Sequence, residues 1–118
     1  MKTIGAGCGI VAPMTFQVPR ALLDGVIARF DPVEVYLFGS HARGDAHPDS
    51  DIDLYVVLDD HQAKGLDVSQ AIGEARCGVR EAVDIVLATR SSHSRFRATP
   101  GAMARTVDLE GVRLYARG

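Results

Sequence analysis

Metal-binding and redox signatures are the first things missing from this 118-residue sequence. Its two cysteines, Cys8 and Cys77, lie far apart with no metal-ligand spacing, so reduced thiols of a cytoplasmic protein are the plain reading. The four histidines (His41, His47, His61 and His93) form no H-x-x-x-H pair and no Cys/His cluster. Nothing points to zinc, and loop positions are the default for them. No stretch approaches the roughly 20 apolar residues that a membrane span needs. Charge of one sign is also lacking: the formal net charge is −2, which gives no general field for nucleic acid or a membrane surface. Any anionic partner must be held locally. A signal leader is not supported either, because Lys2 stands alone, the apolar run before Cys8 is short, and no A-x-A site follows.

What is there suits one compact unit. With 47% hydrophobic residues, a chain of this size can bury a core without staples. Residues 1–15 read as a flexible or edge-packed leader and residues 16–118 as a single domain. There is no internal repeat and no low-complexity linker. Leu22, Leu23, Val26, Ile27 and Phe30 fall on one helical stripe over residues 19–30. Pro19 suits the first turn and Asp31-Pro32 the end. Residues 33–38, "VEVYLF", read as a buried strand. A short helical turn and a loop follow, and residues 51–58 form a second strand. After another loop, Asp67 and Gln70 have capping-box spacing for a helix that runs to about Glu81. "AVDIVLA" is the third strand, a helical stretch lies within residues 91–110, and "VRLYA" after Gly111 closes the chain as a short strand. Alternating strands and helices predict an α/β (α+β) domain, a small mixed sheet with helices packed on one side.

One stretch breaks the pattern: "GSHARGDAHPDSDIDL", residues 39–54, sets two carboxylates in the best strand candidate. The strand period of two places Asp51, Asp53, Tyr55 and Val57 on one face and Ile52, Leu54, Val56 and Leu58 on the other. Asp51 and Asp53 are then roughly 6–7 Å apart. Asp84, in a strand that could neighbour this one, would add a third carboxylate to that face. Three such groups raise one another's pKa unless a hard cation joins them, and carboxylates with phosphate oxygens are what Mg²⁺ prefers. Gly39 permits close approach of the backbone to a phosphate, and Ser40 can cap a short helix whose amides face it. The stretch reads as a phosphate cradle beside a metal platform.

These residues carry a resemblance. "LFGSHARGDAHPDSDIDLYVV", the later "VDIV" and, more loosely, "LEGVRLY" resemble the signature of the polymerase-beta-type nucleotidyltransferase superfamily, most of all its minimal nucleotidyltransferases (MNT). The likeness covers about residues 19–87. It implies that Gly39 and Ser40 hold the β- and γ-phosphates of a nucleoside triphosphate, with Arg43 in support. It implies further that Asp51 and Asp53 ligate two Mg²⁺ ions, and that Asp84 completes the second site and helps deprotonate the acceptor hydroxyl. His41 stands where such sequences often carry a basic residue.

Minimal members typically pair with a small helical HEPN-family toxin and serve as its antitoxin. In some cases they do so by transferring AMP from ATP to a toxin tyrosine. The resemblance therefore implies a cytoplasmic transferase that acts on a partner protein, in a hetero-oligomer or a homodimer, with no membrane and no direct nucleic acid. Two other readings stay open: an antitoxin or complex subunit that works by contact alone, and a small-molecule transferase with its acceptor site at a homodimer interface.

Overall fold

The structure is a computed structural model that describes residues 9–11, 18–44, 51–80 and 82–117, with backbone alone for residues 9–11, 40 and 41. In chain order the elements are β1 (Gly9–Val11), α1 (Arg20–Phe30), β2 (Glu34–Phe38), α2 (Ser40–Arg43), β3 (Ile52–Leu58) and α3 (Asp60–Ala63). They continue with α4 (Val68–Ala75), β4 (Val83–Thr89), α5 (Arg90–Phe96), α6 (Met103–Glu110) and β5 (Val112–Arg117). The five strands form one sheet in the order β1-β5-β2-β3-β4. Among the described residues only β3 and β4 run parallel, and α3 and α4 make the crossover between them. Among the described residues no helix is long and apolar enough to cross a membrane.

The predicted stripe on α1 is the centre of the core. Leu22, Leu23, Val26 and Phe30 are buried against Ile52, Leu54, Val56 and Leu58 of β3, Val35 and Leu37 of β2, and Ala71 and Ala75 of α4. Burying each large apolar side chain there contributes about 1.5–3 kcal/mol. The ladder of β2 and β5 shifts register between Val35 and Tyr36, so both Leu114 and Tyr115 enter the same core. The mixed sheet with helices on one face is thus the architecture read from the sequence.

The structure adds a smaller layer on the opposite face. Tyr55 and Val57 pack there with Ala104 and Val107 of α6, beside Tyr36, Phe38 and Val86. Two helices, α5 and α6, stand where one helical stretch was read, because Pro100 and Gly101 in the connecting turns interrupt it. Helix α4 is shorter than predicted and stops at Ala75 rather than near Glu81. The chain must turn back to lay Val83 beside Ile52, and Gly78, at φ +84°, supplies the left-handed backbone for that reversal. Most of residues 1–15 lies outside the described residues, but Gly9–Val11 pairs antiparallel with β5 at the sheet's edge.

Candidate functional site

The quoted stretch begins where β2 ends. Gly39 has φ +80°, a conformation that L side chains rarely adopt. Its carbonyl accepts hydrogen bonds from the amides of Ala42 and Arg43, both at 3.1 Å, so α2 is anchored directly on it. Ser40 is the first residue of α2, which leaves Gly39, not Ser40, in the capping position. A Cβ added to Gly39 would collide with Oδ2 of Asp53. Two demands therefore converge on one glycine: a left-handed turn and close contact with a carboxylate.

Asp53 sits second in β3, with Phe38 opposite on β2 and Asp84 opposite on β4. Direct partners in a parallel pair share a face and lie about 5 Å apart between strands. The structure thus brings Asp53 and Asp84 side by side, on the face of Tyr55 and α6 and away from the main core. Asp51 lies one residue before β3, and the ladder is already engaged at Ile52, whose amide donates to the carbonyl of Ala82 at 2.9 Å. Its spacing of two from Asp53 returns it to the same face. Asp51 and Asp84 are exposed, and among the described residues neither has a cationic partner.

Among the described residues no three His, Cys, Asp or Glu side chains form a ready-made metal cage. The donor set nonetheless fits Mg²⁺: it is hard oxygen only, on adjacent strands, and Mg²⁺ is usually held by one or two carboxylates plus substrate phosphates rather than by protein alone. Arg43 lies on α2 about half exposed, its Nη1 3.8 Å from Oε1 of Glu110, a separation that contributes little to stability. The segment from Asp45 to Ser50, with His47, lies outside the described residues.

Residues 20–109 match the family described as the nucleotidyltransferase domain. The chain belongs to that family. The matched region of this nucleotidyltransferase domain runs from α1 into α6 and takes in every site residue read from the sequence. No curated protein matches the chain significantly. Among solved structures, a chain from a toxin–antitoxin complex crystallised with AMP-PNP is similar in fold. It aligns with TM-score 0.58 and 22% identity, over 81% of this chain and 71% of that one. A candidate nucleotidyltransferase from Sulfolobus solfataricus aligns over 82% of this chain and 88% of that one, at 20% identity and TM-score 0.43. That second likeness is too loose to carry an argument.

Other polar groups of the nucleotidyltransferase domain gather at the far end of β3. There Asp59 receives Nη1 of Arg117 at 2.8 Å, and Nη1 of Arg90 lies 3.6 Å from its other oxygen. The hydrogen bond from Arg117 holds the Asp59 carboxyl below its usual range. Arg117 also donates through Nη2 to the carbonyl of Asp31, while its Nε is buried with no hydrogen-bond partner. Gln62 completes the cluster. Its Oε1 accepts from the amide of Asp59 at 2.7 Å, and its Nε2 donates to the carbonyls of Phe30 and Asp31. This seals the C-terminus of α1.

Beside that cluster, Tyr55 and Nδ1 of His93 share a hydrogen bond of 3.1 Å. The His93 ring stacks 6.1 Å from Tyr36, whose hydroxyl donates to Glu34 at 3.1 Å. Burial first, and Glu34 second, push the Tyr36 hydroxyl up to about 12. Burial raises Tyr55 as well. Glu34 and His93 line an open cleft of about 1280 Å³ at the C-terminal end of β3, whose lining includes none of Gly39, Asp51, Asp53 and Asp84. Sequence reading missed it. His61 and His93, taken as loop residues, stand on α3 and α5. The Asp59/Gln62 spacing that would have flagged α3 is the same D-x-x-Q signal that located α4.

Proposed function

We propose that this nucleotidyltransferase domain transfers a nucleoside monophosphate, AMP from ATP, to a hydroxyl carried by a partner protein. The observation that carries the proposal is the in-register pair of Asp53 and Asp84 beneath Gly39. The Gly39–Ser40 turn would hold the β- and γ-phosphates, with Arg43 in support. Asp51 and Asp53 would hold Mg²⁺, and Asp84 would complete the second of two sites. Bound there, two Mg²⁺ ions would neutralise charge on the attacking and leaving oxygens of an in-line displacement. Asp84 would orient the acceptor hydroxyl and take up its proton. The hydroxyl oxygen bonds to the α-phosphorus, the bond from that phosphorus to the β-bridging oxygen breaks, and pyrophosphate leaves.

The AMP-PNP-bound toxin–antitoxin complex that contains a chain of similar fold favours a setting in which this domain works on or with another protein. We assign a helical HEPN-type toxin as that partner and the cytoplasm as the place. Docking supplies what the carboxylates cannot, since holding a hydroxyl in line with the α-phosphate removes much of the entropic barrier.

The test is co-expression with a small helical protein of the HEPN type, followed by intact-mass measurement of that protein. Added mass of one or more AMP groups with the wild type, absent with Asp53→Asn, is the expected result. Equal neutralisation by both forms with no added mass would make this a binding antitoxin instead. Modification of a small alcohol with no protein partner would move the acceptor site elsewhere.

A further inference from the structure

The cleft at the C-terminal end of β3 collects cations that the rest of the chain does not. Lys64, Arg90, Arg95, Arg97, Arg113 and Arg117 line it, in a protein whose formal net charge is −2. Three carboxylates (Glu34, Asp59 and Asp60) stand among them. Four of the arginines are held by carboxylates: Arg113 by Glu34 at 3.2 Å, Arg117 and Arg90 by Asp59, and Arg97 by Asp108 at 3.2 Å. Among the described residues Lys64 and Arg95 have no such partner. The cleft is therefore a hollow rich in cations, two of which no carboxylate of the described residues holds. From Asp53 to Val57, which lines the hollow, β3 rises about 13 Å.

We propose that this cleft docks an acidic segment of a protein partner, a short run of Asp and Glu side chains. It rests on the reading above that the acceptor arrives on another protein, and it names the chemistry that would bring that protein in. Charge complementarity sets the sign of the ligand. Arg95, which no carboxylate of the described residues holds, has a planar fork that matches a carboxylate. Phe96, 42% exposed, follows Arg95 in the chain and has its guanidinium 5.6 Å from the ring. An exposed aromatic beside arginine is the composition that anchors protein interfaces.

A nucleic acid strand fits less well. Its phosphates form a continuous ladder of charge along the whole strand. It would also extend past the hollow onto a surface of net negative charge, where strong binding needs many neutralising cations. An acidic peptide segment confines its charge to the hollow.

Fluorescence anisotropy at low salt with two labelled probes, an oligoglutamate peptide and an oligouridylate of the same length, tests the proposal on the full chain. The peptide binds, and its affinity falls as salt rises. Lys64→Ala with Arg95→Ala weakens it about tenfold, while Arg20→Ala with Arg76→Ala, which removes the same charge elsewhere, changes it less than about twofold. Neither pair disturbs the ion pairs that brace the cleft, and unchanged melting curves check this. Absence of peptide binding, or equal loss in both double variants, overturns the proposal. Tighter oligouridylate binding that is lost with Lys64 and Arg95 makes the hollow a nucleic-acid site and overturns it too. Calorimetry with Mg²⁺ and ATP on the same samples separates the two readings. Normal ATP binding without peptide binding sinks the docking site alone. Peptide binding at the cleft without ATP binding sinks the transferase and leaves the docking site standing.

Discussion

The two ends of β3 carry carboxylates under opposite conditions. At its far end Asp59 is met from within the chain by Arg117 and Arg90, and its acid range is displaced downward. At its start Asp53 lies beside Asp84 with Gly39 pressed against it, and Asp51 and Asp84 find no cation among the described residues. The difference separates two uses of one residue type. A carboxylate that joins elements is paired by the protein. Asp51 and Asp84 lie exposed instead, and under the proposed function their compensating charge would arrive with metal and substrate.

The strongest way to break that contrast is at the shoulder. Asp51→Asn with Asp53→Asn should lower nucleotidyl transfer by about a thousandfold or more while circular dichroism and melting stay at the wild-type level or above. Transfer at the wild-type rate would place the metal platform elsewhere. Next in size is Gly39→Ala. The left-handed backbone and the collision with Asp53 should lower stability by about 1–3 kcal/mol, read in urea titration, and weaken ATP binding in parallel.

The far end should answer to pH instead of to nucleotide. Because the Asp59 pKa is depressed in the folded chain, its contribution is present above the ordinary carboxylate value, about 4, and is lost as pH falls through the lower folded value. Arg117→Ala should therefore lower the melting temperature by several degrees at pH 7, by less near pH 3, and leave ATP binding intact. The smallest effect concerns Tyr36. With its hydroxyl pushed up to about 12, the tyrosine favours the folded chain fully below pH 10, its unfolded value, and loses that contribution as pH rises through 12. Ultraviolet titration should show a late-ionising tyrosine that disappears in Tyr36→Phe.

The shoulder was legible in the sequence because each of its parts obeys a local rule. Alternation in residues 51–58 separates core from site, and a glycine after an apolar run signals a turn. The placement of Asp84 required only that "VDIV" pair beside β3. The far end was not legible for a matching reason. Arg117 meets Asp59 and Asp31 across most of the chain, and no spacing rule links positions so distant. His93 meets Tyr55 in the same way, through the packing of α5 on the second face. The end of α4 was misplaced because helical periodicity continues past Ala75, and only the demand to bring Val83 beside Ile52 stops it.

The pairing of Asp53 with Asp84 also dates the site within folding. It belongs to the parallel ladder of β3 and β4, whose strands are joined by the crossover through α3 and α4. Long-range closures of this kind form slowly, because loop entropy must be overcome before any contact repays it. Asp51 and Asp53 come with β3 and its approach, whereas Asp84 joins them only through β4. Two of the three carboxylates are encoded almost side by side, yet the shoulder is complete only once the parallel pairing of β3 with β4 has closed.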